Sequence, residues 1–210
     1  VAPEYGTLDD FRTFLHAAHA RGIRVVLDLV LNHSSDQHPW FAQSRASRDS
    51  AKRDWYVWRD GKGGGGPPNN WSSIFGGPAW TLDERTGQYY YHAFLKEQPD
   101  LNWRHPELKR AMWNAVRFWL DMGVDGFRLD AIGAVYEHPE LPPHTAPLSA
   151  EQLLDPLVLS QADFKALMRW QSQQPGLHEL MKELRTLIDE YPGDRVLLGE
   201  DEDPAFHGSG

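Results

Sequence analysis

Three stretches of the chain place apolar residues on a helical period and then run into an apolar strand. In the first, Leu8, Phe11, Leu15 and Ala18 recur three or four apart, behind Thr7 with Asp10 three positions on, which predicts a capped helix start. Gly22 is the expected C′ stop, and residues 23–31 (IRVVLDLVL) then read as a strand buried on both faces. In the second, Pro106 opens a helix whose stripe is Leu108, Met112, Ala115, Val116 and Trp119; Gly123 closes it and VDGFRL follows as a strand. The third has the cleanest stripe, Leu177, Leu180, Met181, Leu184, Leu187 and Ile188, then YPGD and the strand RVLLGE at 195–200. A further helix is expected at about 161–171. Helix then buried strand, repeated, predicts an α/β protein with a parallel sheet.

Each strand has an acid at or near its carboxyl end: Asp28, Asp130 and Glu200. A (β/α)8 barrel collects its catalytic groups at that end from several strands, although an open doubly wound sheet also places ligands there. A full barrel takes about 250 residues, so three strands in 210 residues predict large insertions and a remainder elsewhere. Residues 34–105, rich in Trp, Pro, Gly and Asn, are long enough for a small subdomain over the carboxyl edge. Within them GKGGGGPPNN is a loop tip and no phosphate cradle, because neither Gly-Lys-Ser/Thr nor a helix opens there. Residues 131–160, dense in proline, are expected to form an ordered, irregular loop near the strand end.

The segment VDGFRLDAI at 124–132 sets a charged pair inside an apolar run. Side chains alternate along a strand, so Arg128 and Asp130 share one face. Burying such a pair is costly. It is either a structural ion pair or a carboxylate kept ionised by its neighbour, as covalent catalysis at a sugar carbon needs. Glu200 ends its strand with no cation adjacent in sequence, and burial without a counter-charge would favour its protonated form. Two carboxylates with opposed environments suit a retaining glycosidase, with carboxyl groups about 5–5.5 Å apart; an inverting one needs a wider gap. Asn32 and His33 form either a turn or, with Asp28, a set of donors and acceptors for sugar hydroxyls. His16 and His19, three apart on a helix, read as a solvated face and not as a metal site.

Acidic residues outnumber basic ones, 30 to 21, for a net charge of −9. That balance argues against a nucleic-acid or anionic-membrane partner and leaves a neutral polar ligand. The absence of cysteine excludes disulfides and Cys-ligated zinc and allows a reducing, cytoplasmic location. No apolar run approaches the roughly 20 residues of a membrane span. The opening VAPEYGTLDD lacks the regions of a signal peptide, and both ends read as cut. Nine Trp, seven Tyr and nine Phe are expected mostly to fill the core, with sugar stacking as the alternative.

DLVLNH at 28–33, QPDLN at 98–102, GFRLDAI at 126–132 and LLGE at 197–200 occur in that order, with PEYGTLDDF, PPNNW and FGGPAW between or before them. Together they resemble the ordered regions of the α-amylase superfamily, glycoside hydrolase family 13. The resemblance implies a fragment of a (β/α)8 barrel, from about helix 2 to strand 5. Residues 1–33 would be barrel, 34–105 a subdomain inserted after strand 3, and 106–210 barrel continued. It implies Asp130 as nucleophile, Glu200 as general acid/base, Arg128 as the family's neighbour to the nucleophile, and Asp28 and His33 as substrate-binding residues. Asn32 matches a calcium position of α-amylases proper, a role the resemblance does not carry into this branch, so no metal or cofactor is expected.

The QPDLN form resembles the branch of oligo-1,6-glucosidase, α-glucosidase and trehalose synthase. Ala131 stands where relatives that cleave α-1,6 bonds carry Val, which leans towards α-1,4 or broader specificity. The expected function is a retaining, α-glucosidase-like hydrolase acting on an α-glucoside or maltooligosaccharide. The alternatives are a glucosyl-transferring or isomerising enzyme, or a non-catalytic amylase-like scaffold. The family's third carboxylate lies in a His-Asp pair, and no His-Asp dipeptide occurs here. The fragment alone is therefore expected to be inactive.

Overall fold

The computed structural model describes residues 3–200. In chain order its elements are α1 (Leu8–His19), β1 (Val26–Val30), α2 (Pro39–Ser44), β2 (Trp58–Asp60), β3 (Trp80–Asp83) and β4 (Gln88–Tyr91). They continue with α3 (Pro106–Met122), β5 (Gly126–Asp130), α4 (Ala150–Leu154), α5 (Gln161–Met168), α6 (Leu177–Asp189) and β6 (Val196–Gly199). The last ten residues of the barrel segment expected at 106–210, 201–210, lie outside the described residues.

The helix boundaries follow the signals in the sequence. Thr7 N–H donates to Asp10 Oδ2 at 2.8 Å and Asp10 N–H returns to Thr7 Oγ1 at 3.2 Å, a reciprocal cap. After α1 the chain closes a Schellman pair at Gly22: Gly22 N–H to His19 O at 2.9 Å and Ile23 N–H to Ala18 O at 3.0 Å. Gly22 takes φ +70°, which a residue without Cβ adopts without strain. Gly123 ends α3 in the same left-handed region, at φ +104°.

β1, β5 and β6 form a parallel sheet in the order β1-β5-β6, three strands with no closed barrel among the described residues. Register pairs Val26 with Gly126 and Gly126 with Val196. One face carries Leu27, Leu29, Phe127, Leu129 and Leu197, which pack with Leu108, Met112, Val116 and Leu120 of α3 and Leu180, Leu184 and Leu187 of α6. The other face carries Asp28, Arg128, Asp130 and Leu198, and Leu198 is 52% exposed. Of the two faces expected to be buried, the one bearing Leu27, Phe127 and Leu129 has a helical layer against it among the described residues. β1 is also shorter than residues 23–31: the Val25 N–H turns to the side chain of Asp125 at 2.8 Å instead of a strand neighbour.

Asp125 ties together the amino-terminal edge of the sheet. Besides Val25 it accepts from Arg24 Nη1 at 3.0 Å and Arg195 Nη1 at 3.3 Å, and it bonds His19 Nε2 at 2.7 Å. His16 and His19 are both exposed, as a solvated face implies, and His19 also bonds Asp125 through its Nε2. Burial works against the charge of Asp125, but Val25, His19 and Arg24 outweigh it and hold its carboxyl below the usual range. A depressed folded-state value means stabilisation that is complete above the unfolded carboxyl value, about 3.9, and is lost as pH falls through the folded one. Asp125→Asn in the full-length protein should therefore cost about 1–3 kcal/mol at pH 7 by leaving buried donors unmatched. Urea titrations should show the gap from wild type closing as pH drops below about 3.9.

The segment between β1 and α3 builds an antiparallel sheet in the order β2-β4-β3, pairing Trp58 with Tyr90 and Trp80 with Tyr91. Most aromatics fill cores, as expected: Phe41, Trp55, Tyr56, Trp58, Tyr90 and Trp103 join the core that includes Leu29 and Phe127. Trp71, Trp80 and Tyr91 form a second cluster with Ala134. The loop after β5 is irregular but tied down by the PPNNW block. Asn69 Nδ2, Trp71 Nε1 and Asn70 Nδ2 donate to the carbonyls of Leu141, Pro142 and His144 at 3.0, 2.7 and 3.1 Å.

Candidate active site

Strand alternation and parallel register together bring the acids to one place. Asp28 is paired with Arg128 across β1 and β5, and Val30 with Asp130. The Glu200 N–H donates to Leu129 O at 2.9 Å, carrying the β5–β6 register one residue past β6 and setting Glu200 beside Asp130. Asp28, Arg128, Asp130 and Glu200 thus share the face that α3 and α6 do not cover.

Arg128 is the hub. Its Nη1 donates to Asp28 Oδ1 and Oδ2 at 2.9 and 3.0 Å and to Asp130 Oδ1 at 2.9 Å, and its Nη2 donates to Glu200 Oε2 at 2.6 Å. Asp28 first, against partial desolvation, and then Glu200 and Asp130 push the guanidinium pKa upward. The pair Arg128–Asp130 is as the sequence indicates. Asp28, expected at the sugar, is also bonded to Arg128 across the strand pair. Asp130 and Glu200 lie no further apart than two hydrogen bonds and the width of one guanidinium.

Glu200 departs from its expected setting. It accepts a charge-assisted hydrogen bond from Arg128, whereas the sequence shows no cation beside it. The reason is that its cation, Arg128, comes from the neighbouring strand, which adjacency along the chain does not reveal.

His33 sits just past β1 in a bridge with Asp100 of the QPDLN segment. Its Nδ1 lies 3.0 Å from Asn32 Oδ1 and its Nε2 lies 2.9 Å from Gln98 Nε2. Desolvation lowers its pKa, against the field of Asp130. Asn32, buried to 1% exposure, donates through Nδ2 to Asp100 Oδ2 at 2.7 Å and to Ala134 O at 2.6 Å. Asp100 Oδ1 accepts from the Ala93 N–H at 2.8 Å. Burial pushes the Asp100 carboxyl well up, while the donors Ala93 and Asn32 pull it down. Asn32 thus has its oxygen facing His33 and its nitrogen facing Asp100 and Ala134.

Four contributors are not evident from the sequence pattern. Gln98 and Asp100 lie in a loop without periodicity, and the only signal for them was the resemblance carried by QPDLN. Phe94 lies beside His33, ring centroids 5.6 Å apart, and Phe75 packs on Phe94 at 5.7 Å. Both line a cleft of about 360 Å³ with Trp80, Thr81 and His92. Phe75, half exposed, is an aromatic free to meet a ligand.

A helix-backed parallel sheet with carboxylates clustered about one arginine at its strand ends, and an antiparallel sheet inserted after its first strand, is part of a (β/α)8-barrel architecture. Residues 1–206 match the family described as "Alpha amylase, catalytic domain", and the chain belongs to that family. It is 44% identical over 201 residues to an oligo-1,6-glucosidase of Parageobacillus thermoglucosidasius, covering 95% of this chain and 33% of that protein. It is 44% identical over 198 residues to a probable alpha-glucosidase of Rhizobium meliloti (strain 1021), covering 91% and 35%. Among solved structures, an alpha-glucosyl transfer enzyme superposes with a TM-score of 0.85 at 42% identity, covering 97% of this chain and 38% of that one. The chain thus spans about a third of the length of the curated relatives it matches. No helix among the described residues is long and apolar enough to cross a membrane.

Proposed function

We propose that the full-length protein carrying this sequence hydrolyses α-glucosidic bonds of small oligosaccharides with retention of configuration. The observation that carries the reading is the attachment of Asp130 and Glu200 to opposite nitrogens of one guanidinium, on one open face of the sheet. Arg128 holds Asp130 Oδ1, leaving Oδ2 to attack the anomeric carbon. As that bond forms, the glycosidic C–O bond breaks and Glu200 gives its proton to the departing oxygen. Glu200 then takes a proton from water, whose oxygen displaces Asp130, and two inversions give net retention. Asp28, held by Arg128, and His33 bind the sugar. The names of the two glucosidase relatives support this reading. Residues 34–105 act in it as a subdomain that bears Gln98, Asp100 and the aromatic cleft, between barrel segments 1–33 and 106–210.

A second reading keeps the same intermediate but gives it to a sugar acceptor, and similarity to the glucosyl transfer enzyme favours it. Incubation with maltose separates the two. Hydrolysis releases glucose as the main product; transfer or isomerisation yields trehalose or longer oligosaccharides. The lean towards α-1,4 or broader specificity belongs to either reading. It is tested by comparing kcat/KM for maltose and isomaltose.

A further inference from the structure

The hydrogen bonds around His33 determine which of its nitrogens carries the proton. Asn32 Nδ2 lies within bonding distance of two acceptors, Asp100 Oδ2 at 2.7 Å and the backbone carbonyl of Ala134 at 2.6 Å. A carbonyl only accepts, so the nitrogen of that amide must face Ala134 and its oxygen must face His33 Nδ1 at 3.0 Å. Nδ1 is therefore the donor.

Gln98 gives the same answer from the other side of the ring. The Leu95 N–H donates to Gln98 Oε1 at 3.0 Å, which fixes that amide's oxygen and turns its NH2 towards His33 Nε2 at 2.9 Å. An NH2 group only donates, so Nε2 is the acceptor. Two amides, each oriented by a group that cannot reverse its role, thus require the same tautomer. A protonated ring would set an Nε2–H against the Gln98 NH2.

We infer that Asn32 and Gln98 are positioning residues that lock His33 as the neutral Nδ1–H tautomer, so that Nε2 meets the substrate as a hydrogen-bond acceptor. The ring then selects a ligand hydroxyl that donates to it. The Gln98 NH2 fills that acceptor, so a donating hydroxyl that reached Nε2 would have to displace it. The part that concerns substrate rests on the α-glucoside reading above; the tautomer does not.

The test uses the full-length protein labelled with 15N-histidine, with His33 assigned from the signal lost in His33→Gln. At neutral pH without ligand, long-range 1H–15N spectra should show a pyrrole-like Nδ1 and a pyridine-like Nε2. The reverse pattern, or two pyrrole-like nitrogens, overturns the inference. On adding 1-deoxynojirimycin, Nε2 should stay unprotonated and shift as an acceptor; gain of an Nε2–H overturns the substrate part alone. Gln98→Glu replaces a donor by an acceptor and should draw a proton onto Nε2. It should also lower kcat/KM on maltose by about tenfold or more. Gln98→Ala should keep Nδ1–H because Asn32 remains. A ring that keeps one signature in both variants, with equal losses of activity, would leave Gln98 only a packing role and refute its part. Failure of the glucoside reading would show instead as no turnover of maltose with the tautomer intact.

Discussion

Asp130→Asn in the full-length protein should lower turnover of an aryl α-glucoside by on the order of 10⁴-fold, about 5–6 kcal/mol of transition-state stabilisation. The amide keeps the size of the side chain and can still accept from Arg128 through its oxygen. What it loses is the attacking carboxylate, so KM should change far less than kcat. The fold should survive, because the amide matches the carboxylate in size and the core packs on the opposite face of the sheet. A variant that retains turnover within tenfold of wild type would remove Asp130 from the chemistry and reduce its bond with Arg128 to a structural ion pair.

Glu200→Gln should separate substrates by leaving group. General acid help matters most when the departing oxygen is a poor leaving group. The loss in kcat/KM should therefore be roughly 10²- to 10⁴-fold for maltose and much smaller for α-glucosyl fluoride. Departure of the sugar from Asp130 needs the same residue as a base, so with the fluoride kcat should fall and the covalent intermediate should accumulate. Comparing the two substrates checks this directly. Equal losses for both would deny Glu200 the role of proton donor.

The parts of this arrangement that follow from local pattern were legible in the sequence. Thr7 with Asp10, Pro106 and Gly123 mark helix ends because capping is settled within a few residues. The stripe from Leu177 to Ile188 gave α6 because burial of one helix face repeats at the helical period. Arg128 and Asp130 share a face because strand alternation is a property of the backbone. Illegible were the relations between strands. Asp28 meets Arg128 only because β1 and β5 pair in a register that sets the third residue of each strand side by side. Glu200 reads as unpaired in the sequence because its partner is 72 positions away.

The antiparallel sheet was hidden for another reason. Its strands, WRD, WTLD and QYYY, are three or four residues long, too short for alternation to stand out from the aromatic background. Asp100 and Gln98 belong to a loop, where no period separates a buried acid from a solvated one. Their importance appears only when the bonds to Asn32 and His33 are drawn.

The most direct test of the central claim is to trap the sugar on the protein. Glu200→Gln full-length protein is incubated with 5-fluoro-α-glucosyl fluoride, digested and analysed by mass spectrometry. The account predicts one added 5-fluoroglucosyl group, on the peptide containing Asp130 and on that carboxylate. A sugar carried on a different residue, or no adduct together with a first-formed β-configured product from the wild-type protein, would contradict it.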